Sequence, residues 1–333
     1  MTDLRQLLTN KLGFGTAPLG NMFRDIPEDE ALATVEAAWD AGIRYFDTAP
    51  FYGAGLAESR LGEVLKDRPR DDFALGTKVG RLVLPEHEQK SGLFEHGRAN
   101  KLLNDYSADA TKRSIDDSLR RLQTDRLDFV FVHDISRDFH GDDWVTRFDE
   151  ARGGAFRVLA DLQDQGVISG WGLGVNTVEP IELALDLDEA PPTMSLSATQ
   201  YTLLTHERAL QRMMPDAQQK GVGIIVGAPF NSGALLGGDH FDYADVPDQV
   251  TKQVSRLRET ADRHHVQLKD AALQFSSAHP AVAAVIPGAS RPERIAENVA
   301  AANAEIPAGF WEELQAQELI SAEAPLPAGR TAE

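Results

Sequence analysis

Short apolar runs alternate with amphipathic stretches along this chain. The runs "LGFGTA" (12–17), "IRYFD" (43–47), "FALGTK" (73–78), "LDFVFVH" (127–133), "ISGWGLGV" (168–175), "MSLSAT" (194–199), "GVGIIVGA" (221–228) and "AAVIP" (283–287) are bounded by turn residues and too short for helices, which predicts eight strands. Between them the apolar period lengthens. "EDEALATVEAAWDAG" places Leu32, Val35 and Trp39 on one helical face and stops at Gly42. Helices are predicted from about Leu56 to Lys66 and over "SADATKRSIDDSLRRLQTD", where Ile115, Leu119 and Leu122 recur at helical spacing. "AFRVLADLQDQG", ending at Gly166, and "RPERIAENVAAA" read the same way.

Strand-then-helix alternation means a parallel sheet with helices outside. Eight such units predict a closed (β/α)8 TIM barrel of the α/β class, one domain over residues 1–333. Two connections are longer than a scaffold needs, roughly Arg81 to Ser107 and Phe230 to Val246, and such loops are commonly functional. The tail after Ile306 is rich in Ala, Pro and Glu and is expected to fray at its end.

Composition narrows the chemistry. The 33 Lys and Arg against 52 Asp and Glu give a net charge of −19, an acidic surface that argues against nucleic acid and anionic membranes as partners. With no cysteine, thiolate nucleophiles, thiolate metal sites and disulfides are excluded. The start "MTDLRQLLTNK" lacks the apolar stretch of a signal peptide, so a cytoplasmic location is expected.

Barrel enzymes hold their reacting groups where strands give way to loops at the C-terminal face. Asp47, Lys78 and His133 end the second, third and fourth predicted strands, and Tyr52 lies in the Gly-rich turn just beyond Asp47. Adjacent strand ends bring the four together. A phenol titrates near pH ~10, too high for a neutral proton shuttle. A neighbouring Lys78 cation is expected to lower it, Asp47 to hold the lysine charged, and His133 to orient the substrate oxygen. Such a group moves a proton to or from a carbinol oxygen, and a hydride must leave carbon in the same step, which implies a nicotinamide.

With these residues in place, the chain resembles the aldo-keto reductases over nearly its whole length, from "LGFGTAPLG" to "IPGASRPERIAEN". The resemblance is most specific in "GIRYFDTAPFYGAGLAESRLGEVL", and the family's Asp, Tyr, Lys, His tetrad falls on Asp47, Tyr52, Lys78 and His133. It implies NAD or NADP bound without a Rossmann fold, consistent with the lack of G-x-G-x-x-G after a strand. It also implies cofactor contacts at Asn176 and Gln200, at Pro229, Asn231, Ser232 and Gly233 after strand seven, and at Gly288, Arg294 and Asn298 after strand eight. Gly227 stands where many members have an aromatic under the nicotinamide, and Gly288 where many have a lysine.

Within the family, "APLGN", "HD" and "DYS" look most like the L-fucose and D-threo-aldose 1-dehydrogenases and pyridoxal 4-dehydrogenase. Oxidising a free aldehyde normally uses a thiohemiacetal, which a chain without cysteine cannot form. A cyclic hemiacetal needs one hydride transfer to become a lactone. The expectation is therefore a small-molecule dehydrogenase acting on an aldose or pyridoxal, with Tyr52 as general base and Met22, Phe51, Asp134 and Phe230 around the substrate. Three rivals remain at this level. Metal hydrolysis would want H-x-H or H-E-x-x-H, and neither occurs. An aldehyde reductase running the opposite way, and a cofactor-binding regulatory barrel without turnover, would keep the same tetrad.

Overall fold

A computed structural model describes residues 2–327. Eight parallel strands form one sheet: β1 Phe14–Gly15, β2 Tyr45–Asp47, β3 Ala74–Val79, β4 Phe129–His133, β5 Gly170–Val175, β6 Met194–Ala198, β7 Gly223–Gly227 and β8 Val282–Ile286. They follow one another in chain order around the sheet. Bridges from Leu12 to Val285 and from Gly15 to Gly288 join the first strand to the last and close the barrel. Each of the eight expected runs supplies one of these strands, and the fold is the expected (β/α)8 barrel.

The strands read as continuous apolar runs because both faces are covered. Phe46, Leu75, Val130, Val132, Leu173 and Val226 point outward into the layer shared with the helices. Tyr45, Ala74, Phe129, Phe131, Leu196 and Ile225 point inward and fill the barrel. Leu4, on a short helix over Leu4–Leu7, joins this inner cluster.

Helix ends follow local chemistry. Helix Glu28–Asp40 carries three carboxylates in its first turn, where the helix dipole favours them, and Gly42 at φ 83° lets the chain leave. Ser107 caps helix Ala108–Leu122 by accepting from the Ala110 N–H at 3.3 Å. The helices expected near Leu56, Ala155 and Pro292 run over Leu56–Leu65, Ala155–Asp164 and Pro292–Asn303.

The two long connections are not bare loops. The first is an antiparallel hairpin, Arg81–His87 against Asn100–Asn104, which hydrophobicity alone did not reveal because its apolar residues sit side by side, Leu82–Leu84 and Leu102–Leu103, without strand alternation. The second holds a 3-10 turn over Asn231–Leu236 and a small hairpin, His240–Phe241 against Ala244–Asp245. Past Ile306, helix Ala308–Ala316 buries Phe310, Trp311 and Leu314, so this part of the tail is anchored; its last residues, from 328 onward, lie outside the described residues.

Candidate active site

Strand parity decides which side chains enter the barrel. Side chains alternate along a strand, so Asp47 shares the inward side of Tyr45, Lys78 that of Ala74, and His133 that of Phe129 and Phe131. Register then brings them level: Asp47 pairs with Gly76 and Lys78 with Phe131. Lys78 Nζ lies 2.5 Å from Asp47 Oδ1 and donates to the Thr48 carbonyl at 2.9 Å. Both side chains are buried, and Asp47 Oδ2 has no partner.

Tyr52 arrives from the loop after β2. That loop seats on Gly20, where an added Cβ would sit 2.5 Å from the Tyr52 carbonyl carbon, so only glycine allows the approach. The Tyr52 ring stands over Lys78, with Nζ 4.8 Å from its centroid, and meets His133 edge-on at 5.8 Å. The four residues singled out in the sequence thus converge.

Burial dominates their electrostatics. It raises Asp47 despite the lysine that pulls it down. It pushes His133 well below the usual histidine range, helped by Arg81 and Lys78, so the ring is neutral at physiological pH. Tyr52 departs from expectation. Its phenol is held well above its ordinary value, first by burial, then by Asp47 and Asp134, against a downward pull from Arg81. The lysine was expected to lower it, but burial outweighs that pull.

A second buried ion pair adjoins the first. Arg81 Nη2 holds Asp134 Oδ2 at 2.5 Å, and the same oxygen lies 3.5 Å from His133 Nε2. The Arg81 guanidinium stacks on Phe51 at 3.8 Å and Phe139 at 4.6 Å. Burial lifts the Asp134 carboxyl to about 7 against the pull of Arg81. Asp134, expected around the substrate, lines the chamber with its charge engaged by Arg81, a residue not singled out from the sequence.

Two cavities meet at Tyr52. A long cleft of about 820 Å³ is lined by Asp47 and Tyr52, by Phe230, Ser232 and Gly233, and by Gly288, Arg294 and Asn298. A smaller chamber, about 50 Å³, is lined by Phe51, Phe94, Lys78, His133, Asp134 and Asn176. Met22 borders both.

The sequence model of the Aldo/keto reductase family matches residues 11–318. The chain belongs to the aldo/keto reductase family. It is 40% identical over 331 residues to a pyridoxal 4-dehydrogenase of Microbacterium luteolum, covering 95% of this chain and 96% of the relative. It is 37% identical over 320 residues to a D-threo-aldose 1-dehydrogenase of a Pseudomonas species, covering 93% and 94%. Among solved structures, the holo form of an aldo-keto reductase from Bacillus halodurans aligns with TM-score 0.69 at 28% identity, over 94% of this chain and 92% of that one. As an aldo-keto reductase the protein is an NAD(P)-dependent oxidoreductase.

The cleft suits the dinucleotide of an aldo-keto reductase. Its lining carries the cations Arg24, Lys269 and Arg294, with Glu297 accepting from Lys269 at 2.7 Å and Arg294 at 3.0 Å. Lys269 escaped the sequence reading because its helix, Leu268–Ala278, reads as ordinary scaffold. Four expected cofactor residues, Asn176, Gln200, Pro229 and Asn231, do not line the cleft. Gln200 bonds to its neighbour Thr199 at 3.0 Å, and Pro229 is buried behind the wall. Asn231 is fully buried, accepting from Thr202 at 2.7 Å and donating to Asp242 at 2.9 Å, because the chain turns its side chain into the loop. Asn176 lines the inner chamber and donates to Asp138 at 3.2 Å. Among the described residues no cluster of three or more His, Asp or Glu could hold a metal ion, and no helix is long and apolar enough to cross a membrane.

Proposed function

We propose that this aldo-keto reductase oxidises a cyclic hemiacetal, an aldose or pyridoxal, to its lactone. The observation that carries the reading is the position of Tyr52: over the buried Lys78–Asp47 pair, at the junction of the long cleft and the inner chamber. Ser232, Gly233, Gly288, Arg294 and Asn298 would hold NAD or NADP along the cleft, with Lys269 near its phosphates. The bound nicotinamide supplies the hydride acceptor. Tyr52, as phenolate, takes the proton of the anomeric hydroxyl while the ring carbon gives up its hydrogen, and the carbonyl of the lactone forms. Neutral His133 donates or accepts a hydrogen bond at the reacting oxygen without competing for the proton. Lys78, paired with Asp47, offsets part of the carboxylate's charge beneath the Tyr52 ring. Phe51, Phe94, Phe139 and Met22 give the chamber the apolar walls a sugar ring face or a pyridine requires, and Phe230 borders the cleft.

The names of the two relatives support the substrate class, since both aldoses and pyridoxal close to hemiacetals, and the chain has no cysteine to trap an open aldehyde. A second reading, carbonyl reduction, draws on the raised Tyr52 phenol, which carries its proton at neutral pH. Rapid NMR of pyridoxal, L-fucose and D-arabinose with NAD⁺ and with NADP⁺ separates the two. Lactone appearing before acid supports oxidation of the hemiacetal. Acid as the first product, or turnover only of aldehydes that cannot cyclise, defeats it.

A further inference from the structure

We propose that Tyr243 is the surface against which the nicotinamide ring lies. This rests on the dinucleotide reading of the cleft. The residues bordering both cavities are Ala17, Met22, Tyr52, Leu196, Ala198 and Tyr243, so these enclose the place where a hydride can pass from one to the other. A flat heteroaromatic ring held there needs a flat apolar partner. Only Tyr52 and Tyr243 supply rings at this junction. Tyr52 is committed: it stacks on Phe94 at 5.8 Å, stands over Lys78 and faces His133. The wall opposite offers none. It ends at Gly227, where an added Cβ would lie 3.3 Å from Ala198 Cβ and 3.4 Å from Leu196 Cδ2.

The way Tyr243 is delivered supports a purpose beyond the turn. Asp242 and Tyr243 are the two residues between paired Phe241 and Ala244, at the tip of the small hairpin. Their φ angles are 47° and 70°. Two positive φ values in a two-residue hairpin are the condition for which Asn-Gly or Asp-Gly is favoured, because a side chain at the second position is strained. This chain puts a tyrosine where glycine would be easiest. The strain is held by neighbours: the Tyr243 N–H donates to Ser232 Oγ at 3.0 Å, and Asp242 accepts from Asn231. Asn231, expected on the cofactor from sequence, thus acts on it through the hairpin it anchors, while Ser232 both borders the cleft and holds the hairpin.

Titration of the protein with NAD⁺, NADH, NADP⁺ and NADPH by calorimetry, without substrate, tests this. Tyr243→Gly fits the turn better than tyrosine, so its Tm should equal or exceed the parent's, while the Kd for the preferred dinucleotide rises roughly ten-fold. Tyr243→Phe keeps the ring and should bind within about three-fold of the parent. Unchanged Kd in Tyr243→Gly overturns the proposal, even if KM for substrate moves, because the ring would then serve the substrate alone. Equal weakening in Tyr243→Phe also overturns it, since the hydroxyl would be the contact. If the parent protein binds none of the four, the dinucleotide reading itself falls, and this proposal with it.

Discussion

Lys78→Met should turn Asp47 into a buried carboxyl that must stay protonated. Among the described residues Lys78 Nζ is the only cation on Asp47 Oδ1, and Oδ2 has no partner. Methionine fills much of the lysine stem's volume, so the loss is mainly electrostatic. Burial already raises Asp47 with the lysine present. Without it the folded carboxyl stays neutral through neutral pH, while in the unfolded chain it ionises near pH ~3.9. Protonating it at pH 7 then costs about 1.36 × (7 − 3.9), or about 4 kcal/mol, and at pH 5 only about 1.5 kcal/mol. The first figure agrees with the roughly 3–5 kcal/mol lost when one partner of a buried ion pair is removed. The sign follows from linkage: the folded state binds a proton that the unfolded state releases, so stability falls as pH rises above the unfolded value. Asp47→Asn with Lys78→Met needs no such proton. Urea denaturation of both variants between pH 5 and 7 is the assay. The double variant should exceed Lys78→Met by about 1.5 kcal/mol at pH 5 and about 4 kcal/mol at pH 7. A double variant no more stable than the single, or a gap that does not widen with pH, would refute the account of a dry, paired carboxylate beneath Tyr52.

Tyr52→Phe should lower kcat by about 10²–10⁴-fold while leaving Tm and the dinucleotide Kd unchanged, because only the proton-transferring oxygen is removed; stopped-flow rates near those of the parent would remove Tyr52 from the mechanism. With its phenol held above the ordinary range, hemiacetal oxidation should still be rising at pH ~10, the unperturbed tyrosine value; a plateau well below that pH would show that Lys78 does lower it. Asp134 ionises at about 7 beside His133 Nε2, facing Arg81, Lys78 and Asp138. A break near that pH in kcat/KM should therefore appear in the parent and vanish in Asp134→Asn, and a break that survives the substitution belongs to another group.

What the sequence determined by itself is whatever depends on near neighbours along the chain. Strand runs, helix faces and caps are local, so the eight strands were legible, and with them the barrel, whose closure follows from repeating one right-handed unit. The meeting of Asp47, Lys78 and His133 was legible for the same reason: all three end neighbouring strands, and period-two alternation sends them inward together. The hairpin after β3 was not, since its apolar residues sit side by side and lack that alternation. Tertiary structure alone decided the rest. Arg81 reaches Asp134 across 53 residues of sequence, and Lys269 meets Glu297 on the next helix. Asn231 turned away from the cleft because Thr202 and Asp242 were there to receive it. The direction of the Tyr52 shift belongs here too. Proximity to a lysine can be inferred from strand order, but desolvation sums over atoms from many separate segments, and only the packed barrel sets which of the two prevails.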